Sequence, residues 1–258
     1  MEKLIQQTAE KLAVAERLVF VTGAGVSKES GIPTFRDAAD GIWQDFDPLL
    51  YGSPLGWAMQ PGKVWNWYYE RRQQMAEARP NPGHFAMRDL EALVPQVVVL
   101  TQNIDRLHHQ AGSSDVVALH GDMFAYRCDR DCQGNPTPVD LDSVTWTPET
   151  APPRCPHCKT GHVRPDVVWY GEYLLKANVD RALSAARQCD VMIVAGTSGA
   201  IPLAAHLPVY AREAGAFVAD VNPSKSAITP TAHVWLAGPS GVVLPQVVQA
   251  LRALKSQD

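Results

Sequence analysis

The sequence predicts an α/β protein, a doubly wound parallel sheet with a smaller second lobe carried as insertions. Three observations predict it. Short β-branched apolar runs recur along the chain, with helical patterns between many of them, as βαβ units require. The first such run opens directly onto a Gly-Ala-Gly turn. Two stretches, one aromatic and one rich in cysteine, interrupt the alternation.

Taken in order, 1–17 places Leu4, Ile5 and Leu12 near helical spacing, which predicts an amphipathic helix rather than a signal peptide. Runs at 18–22, 96–100, 116–119, 191–195 and 216–221 read as buried parallel strands. Helical patterns fall at 83–94, 104–111, 174–187 and 203–214, and a last one at 244–255. The stretch 41–79 holds Trp43, Trp57, Trp65 and Trp67, and 124–164 holds four cysteines and many prolines. The expected organisation is a discontinuous large lobe (1–40, 80–123 and 165–258) with a helical insertion (41–79) and a metal-binding insertion (124–164).

Composition bounds the function. The chain of 258 residues is long enough to bury a core without disulfides. A net charge of −4 argues against a general nucleic-acid binder, and 46% apolar residues exclude a mainly disordered chain. Five cysteines, an odd number, argue against a secreted disulfide framework. No apolar run approaches the ~20 residues that span a bilayer, so no membrane partner is expected, and the expected compartment is the cytoplasm.

In the turn after the first strand, Gly23 and Gly25 permit close backbone approach, as at dinucleotide sites. Lys28 breaks the G-x-G-x-x-G spacing, and no G-K-[ST] follows, so by itself the turn reads equally as a plain β-to-α connection. Phe35-Arg36-Asp37 adds an arginine that could meet phosphate or simply lie on the surface. Cys128-x3-Cys132, then Cys155-x2-Cys158 after 22 residues, is the spacing of a structural Zn2+ knuckle; four thiolates leave no open position for chemistry. Cys189 reads as a small buried residue. Polar residues close four strands: Gln102, Asn103 and Asp105; His120; Gly196, Thr197 and Ser198; Asn222. One such ending is ordinary helix capping, but four converge on one crevice, where His120 is placed to act as a general base.

GAGVSKESGIPTFRD, TQNID, LHG, the paired cysteines, RPDVVWYGE, GTS and VNPS, in this order, closely resemble the sirtuin family of NAD-dependent protein lysine deacylases. The resemblance runs from about residue 18 to the last helix. It implies a Rossmann-like NAD-binding lobe and a small lobe, part zinc ribbon and part helical, with NAD and an acyl-lysine protein or peptide entering between them. In such enzymes the acyl oxygen attacks C1′ of the nicotinamide ribose, nicotinamide leaves, a histidine acts as base on the ribose hydroxyls, and water releases lysine and 2′-O-acyl-ADP-ribose. Carried over, His120 is the base and Asn103 its catalytic neighbour. Gly23, Ala24, Gly25, Phe35 and Arg36 line the pyrophosphate and nicotinamide side. Gln102, Asn103, Ile104 and Asp105 hold nicotinamide and its ribose, and Gly196, Thr197, Ser198, Asn222 and Ser240 hold the adenosine half. Cys128, Cys132, Cys155 and Cys158 hold one structural Zn2+. Val168, Trp169, Tyr170 and Gly171 form the edge on which a substrate peptide adds as a strand, with Tyr170 replacing the family's usual Phe.

Tyr68 and Arg71 lie three apart in a helical stretch, so a phenol and a guanidinium share one face, a pairing that suits a carboxylate. Tyr-x-x-Arg alone also fits a solvated face. At this position, together with FRDAADGIW, it resembles the subclass that removes succinyl, malonyl or glutaryl groups, which implies an acidic-acyl deacylase that also removes acetyl. A mono-ADP-ribosyltransferase using the same NAD site, an NAD-sensing module and a hydride-transferring dehydrogenase are the competing readings.

Overall fold

The computed structural model describes residues 1–34 and 47–256. In chain order the elements are α1 (Glu2–Ala13), β1 (Arg17–Thr22), α2 (Pro48–Tyr51), α3 (Pro54–Met59), α4 (Pro61–Ala76), α5 (Pro82–Leu90), β2 (Gln96–Thr101), α6 (Leu107–Ala111) and β3 (Val116–Ala118). They continue with β4 (Gly121–Cys128), β5 (Val163–Val167), α7 (Lys176–Gln188), β6 (Val191–Ala195), α8 (Pro202–Glu213), β7 (Phe217–Asn222), β8 (Val234–Ala237) and α9 (Ser240–Lys255). Two 3-10 turns, Ala24–Val26 and Lys28–Ser30, follow β1.

Among the described residues, six strands form one parallel sheet in the order β3-β2-β1-β6-β7-β8. The chain runs outward from β1 to β2 and β3, then returns to β6 on the other side. The direction therefore reverses between β1 and β6, the place where open α/β sheets bind ligands. Each central strand divides its side chains by alternation. In β1, Leu18 and Phe20 join a core with Leu12, Leu90 and Leu251 of α1, α5 and α9. Val19 and Val21 face the opposite core, with Ala186 and Leu207 of α7 and α8. Burial on both faces is why β6 reads as an unbroken apolar run, while β7, buried along its whole length, carries Asp220 and Asn222 at its carboxyl end.

The Rossmann-like α/β expectation holds, and the five anticipated strands are present. Three differences are instructive. The edge strand β8 was not anticipated, because Val-Trp-Leu-Ala is short and preceded by a Thr/Pro-rich stretch. The helix expected at 104–111 begins only at Leu107, since Asp105 turns its carboxylate onto the Leu107 N–H at 3.0 Å. The helix expected from 244 begins at Ser240 and tolerates Pro245 within its first two turns.

The two interrupting stretches share a hydrophobic cluster. Trp57, Trp65, Trp67 and Tyr68 pack with Met123, Tyr126, Cys128, Cys155, Val163 and Trp169. Among the described residues, β4 and β5 form a separate antiparallel ribbon, with Cys128 opposite Val163. No helix among the described residues is long and apolar enough to cross a membrane.

Helix α5 is started by a capping box: Asn81 accepts from Gly83 N at 2.9 Å, and Nδ1 of His84 accepts from Asn81 N at 3.3 Å. The His84 ring packs edge-on against His108, with centroids 4.9 Å apart. Burial pushes His84 down to about 4 and His108 down to about 3, so both are neutral in the folded protein at neutral pH. The unfolded chain binds these protons first. No penalty exists above pH 6.5, and one grows as pH falls from there toward 4. Urea unfolding should show a loss of about 2 kcal/mol per histidine between pH 7 and pH 5, and His84→Gln should remove about half of that dependence.

Candidate functional site

The site begins where β1 ends against β6. Gly23 N donates to Ala195 O at 3.1 Å and Gly25 N to Gly196 O at 2.8 Å. A Cβ on Gly25 would stand 2.7 Å from Gly196 Cα, and one on Gly196 would stand 2.4 Å from Val26 N. Gly196 also has a φ of +61°, a region that glycine enters without strain. These glycines therefore serve first to press two turns together at the carboxyl edge of the sheet. Ala24 opens the 3-10 turn between them.

The segment after β2 is tied into that turn. Gln102 Nε2 donates to Thr197 Oγ1 at 3.0 Å. Asn103 Nδ2 donates to Gly23 O at 3.2 Å and to Ser27 Oγ at 3.0 Å, and Ser27 Oγ donates in turn to Asp105 Oδ2 at 2.8 Å. Burial raises the Asp105 carboxyl, against the lowering effect of the bonds from Leu107 N and Ser27. Ile104 O accepts from Met123 N at 2.9 Å, joining this segment to β4. The sequence does not mark Ser27. A serine in a glycine-rich loop carries no local signal, and its partners lie about 80 positions away.

His120 lies at the end of the chain leaving β3. Its Nδ1 is 3.0 Å from Gln102 O. A carbonyl oxygen only accepts, so Nδ1 carries the hydrogen and Nε2 is the basic nitrogen. Burial holds the imidazole below its ordinary value, opposed by the bond to Gln102 O, so the neutral base is the resting form. The His120 carbonyl accepts from Val168 N at 2.9 Å. The histidine thus touches the edge segment 168–171, whose Tyr170 N donates to Gly52 O at 2.7 Å and whose Gly171 takes a φ of +88°.

On the other side of the reversal, Asn222 Nδ2 bonds Thr197 O at 3.3 Å and Asp220 Oδ1 at 2.5 Å. Ser198 O accepts from Ala227 N. Asp220, fully buried, also accepts from Ser226 and Thr229 and so shapes the turn after β7. Ser240, buried at the start of α9, meets Glu29 Oε2 at 3.4 Å, and the same oxygen takes Gly241 N at 2.8 Å. Asp220 and Glu29 are further residues that the sequence did not reveal as partners. Phe35 and Arg36, and the segment FRDAADGIW with Trp43, lie outside the described residues. The amides, hydroxyls and carboxylates gathered along this edge suit the ribose hydroxyls and carboxamide of a nicotinamide dinucleotide.

Tyr68 and Arg71 both lie on α4. Tyr68 Oη accepts the Trp169 indole N–H at 2.9 Å, and burial pushes its phenol well above the ordinary value. Arg71 lies 4.4 Å over the Trp67 ring and pairs with Glu70 at 3.0 Å.

The four cysteines Cys128, Cys132, Cys155 and Cys158 place their sulfurs within 4.8 Å of one another. The Cys128–Cys158 and Cys132–Cys155 separations are both 3.9 Å, close to the ~3.8 Å edge of a tetrahedron with Zn–S bonds of about 2.3 Å. The Gly161 N–H holds the Cys158 thiol down to about 6, toward the thiolate a metal needs. A Cβ on Gly161 would stand 2.7 Å from Asp129 Oδ1 and 3.1 Å from Cys128 Sγ, so glycine lets the knuckle close without displacing either side chain. The cluster fits one structural zinc, and Cys189 stands apart, buried and pushed up to about 12.

Residues 23–202 match the model of the Sir2 family. The NAD-dependent protein deacylase 1 of Pseudomonas aeruginosa is 44% identical over 95% of this chain and 98% of its own. A solved Sir2 homologue in complex with NAD superposes with a TM-score of 0.85 at 38% identity, covering 98% of this chain and 94% of that one. A Sir2 protein bound to a myristoylated histone peptide superposes with a TM-score of 0.77 at 31% identity over the whole of both chains.

Purified protein should contain one zinc per chain by elemental analysis. Cys155→Ser should abolish that content and lower the melting temperature, because Cys155 is fully buried in the aromatic cluster.

Proposed function

The chain belongs to the Sir2 family and is an NAD-dependent protein deacylase, and on that premise we propose that it preferentially removes acidic acyl groups, succinyl or malonyl, from lysine, with acetyl as a further substrate. Nicotinamide and 2′-O-acyl-ADP-ribose are the proposed products. One observation carries this reading. A continuous set of contacts runs from His120 through Val168 to Trp169 and on to Tyr68, so the base and the phenol flank one short edge segment. A substrate strand laid along 168–171 would bring its acyl-lysine between them.

Each residue has a defined part in this reading. Asn103, Gln102 and Asp105 orient the nicotinamide half, and Thr197, Ser198, Asn222 and Ser240 the adenosine half. Neutral His120, its Nδ1 fixed on Gln102 O, takes a proton from a ribose hydroxyl at Nε2. Tyr68 and Arg71 receive the terminal carboxylate, the phenol by one hydrogen bond and the guanidinium by a charge-assisted pair.

An assay with NAD over a panel of acyl-lysine peptides tests this. Succinyl- or malonyl-peptide should give the highest kcat/KM. Tyr68→Phe and Arg71→Met should depress succinyl turnover relative to acetyl; equal turnover ratios in wild type and both variants would remove the acidic pocket. His120→Ala should lower activity about 10^2- to 10^4-fold with zinc retained. Because the active base is the neutral imidazole and burial lowers its value, the acid limb of kcat/KM should have its midpoint below pH 6.5.

A further inference from the structure

The Trp169 indole and the Tyr68 phenol come from positions 101 residues apart and meet at 2.9 Å in the interior. An indole N–H can only donate, so the phenol oxygen accepts here. The phenol keeps its own hydrogen, because burial holds its ionisation far above neutral pH. Among the described residues, no acceptor takes that hydrogen. Tyr68 is therefore a buried phenol that accepts one hydrogen bond and whose own hydrogen remains to be given.

Trp169 is not at liberty to turn away. The Arg164 guanidinium lies 3.4 Å from its ring centroid. Arg164 grips Glu172 through two bonds, of 2.6 and 3.0 Å, and donates to Val167 O at 2.7 Å. Glu172 Oε2 also accepts the Trp169 backbone N–H at 2.9 Å. The Trp57 ring closes another side, with centroids 5.5 Å apart. Packing alone does not demand the indole bond. Trp65, fully enclosed in the same cluster, has an indole nitrogen with no hydrogen-bond partner among the described residues.

We propose that Trp169 is a specificity-determining positioning residue: by donating to Tyr68 Oη it turns the phenol hydrogen away from the indole and leaves it to be given to another acceptor, which favours an acyl chain ending in a carboxylate over a neutral one. A carboxylate accepts the phenol hydrogen in a charge-assisted bond, whereas the methyl of an acetyl group offers it no acceptor. Arg164 and Glu172 act one step further out, by holding the indole. This inference rests on the acidic-acyl reading and names the device behind it.

The test is the ratio of succinyl- to acetyl-peptide kcat/KM in wild type, Trp169→Phe, Tyr68→Phe and the double variant. Trp169→Phe keeps an aromatic ring and removes the N–H. It should lower the ratio about tenfold, with the loss carried by the succinyl-peptide KM rather than by kcat. In the Tyr68→Phe background the same substitution should change the ratio no further, since Trp169 acts through the hydroxyl. A wild-type preference for succinyl that survives Trp169→Phe, or a further fall of the ratio in the double variant, overturns the proposal and leaves the acidic-acyl reading intact. A wild type without that preference overturns both. Arg164→Lys keeps the charge but loosens the flat contact with the indole, and it serves if Trp169→Phe does not fold; an unchanged ratio there also counts against the proposal.

Discussion

The contact on which the rest of the structure depends is backbone against backbone: the turn after β1 pressed onto the turn after β6. Adjacent parallel strands end at the same level, so their connecting turns compete for one space. Gly25 and Gly196 resolve that competition by having no side chain: a Cβ on Gly25 would stand 2.7 Å from Gly196 Cα, and one on Gly196 2.4 Å from Val26 N. Because the order of the sheet reverses at this pair, the same contact forms the floor of a crevice at the carboxyl edge.

The amide side chains of the site are referenced to that floor. Asn103 reaches Gly23 O, Gln102 reaches Thr197, and Asn222 reaches Thr197 O from the far side. Bonds of this kind are individually worth about 1 kcal/mol net, but an unmade one inside costs more, so a buried network is either complete or disruptive. Here it is complete around Ser27, which takes a hydrogen from Asn103 and gives one to Asp105. Gln102 adds a second duty, since its carbonyl selects the His120 tautomer and so decides which nitrogen is basic.

The smaller assembly follows a different logic. Among the described residues it holds an antiparallel ribbon and the helices α2 to α4, so aromatic side chains supply much of its apolar area and four sulfurs pin the loops. Trp169 and Tyr68 belong to this aromatic cluster, while Val168 beside them is bonded to His120. The cluster that stabilises the assembly is therefore also the wall next to His120. In the proposed acidic-acyl reading, one set of side chains answers to both packing and recognition.

Much of this was legible in the sequence for local reasons. Strands buried on both faces announce themselves as β-branched runs, the glycine turn by its composition, the zinc site by cysteine spacing, and the polar strand ends by their position after each run. β8 was not legible, because a four-residue edge strand has too short a pattern to stand out from a loop. Neither were the duties of Ser27, Glu29 and Asp220, nor the bond between Tyr68 and Trp169. Each depends on partners that chain folding brings together from other elements, up to 212 positions apart for Glu29 and Gly241. The sequence by itself determined which backbone shapes are allowed and which chemical groups stand at the strand ends, because those follow from residue types and short periodicities. Only the tertiary structure decided which nitrogen of His120 is basic and that the phenol hydrogen of Tyr68 remains to be given, because the direction of a hydrogen bond is set by the partner across the fold.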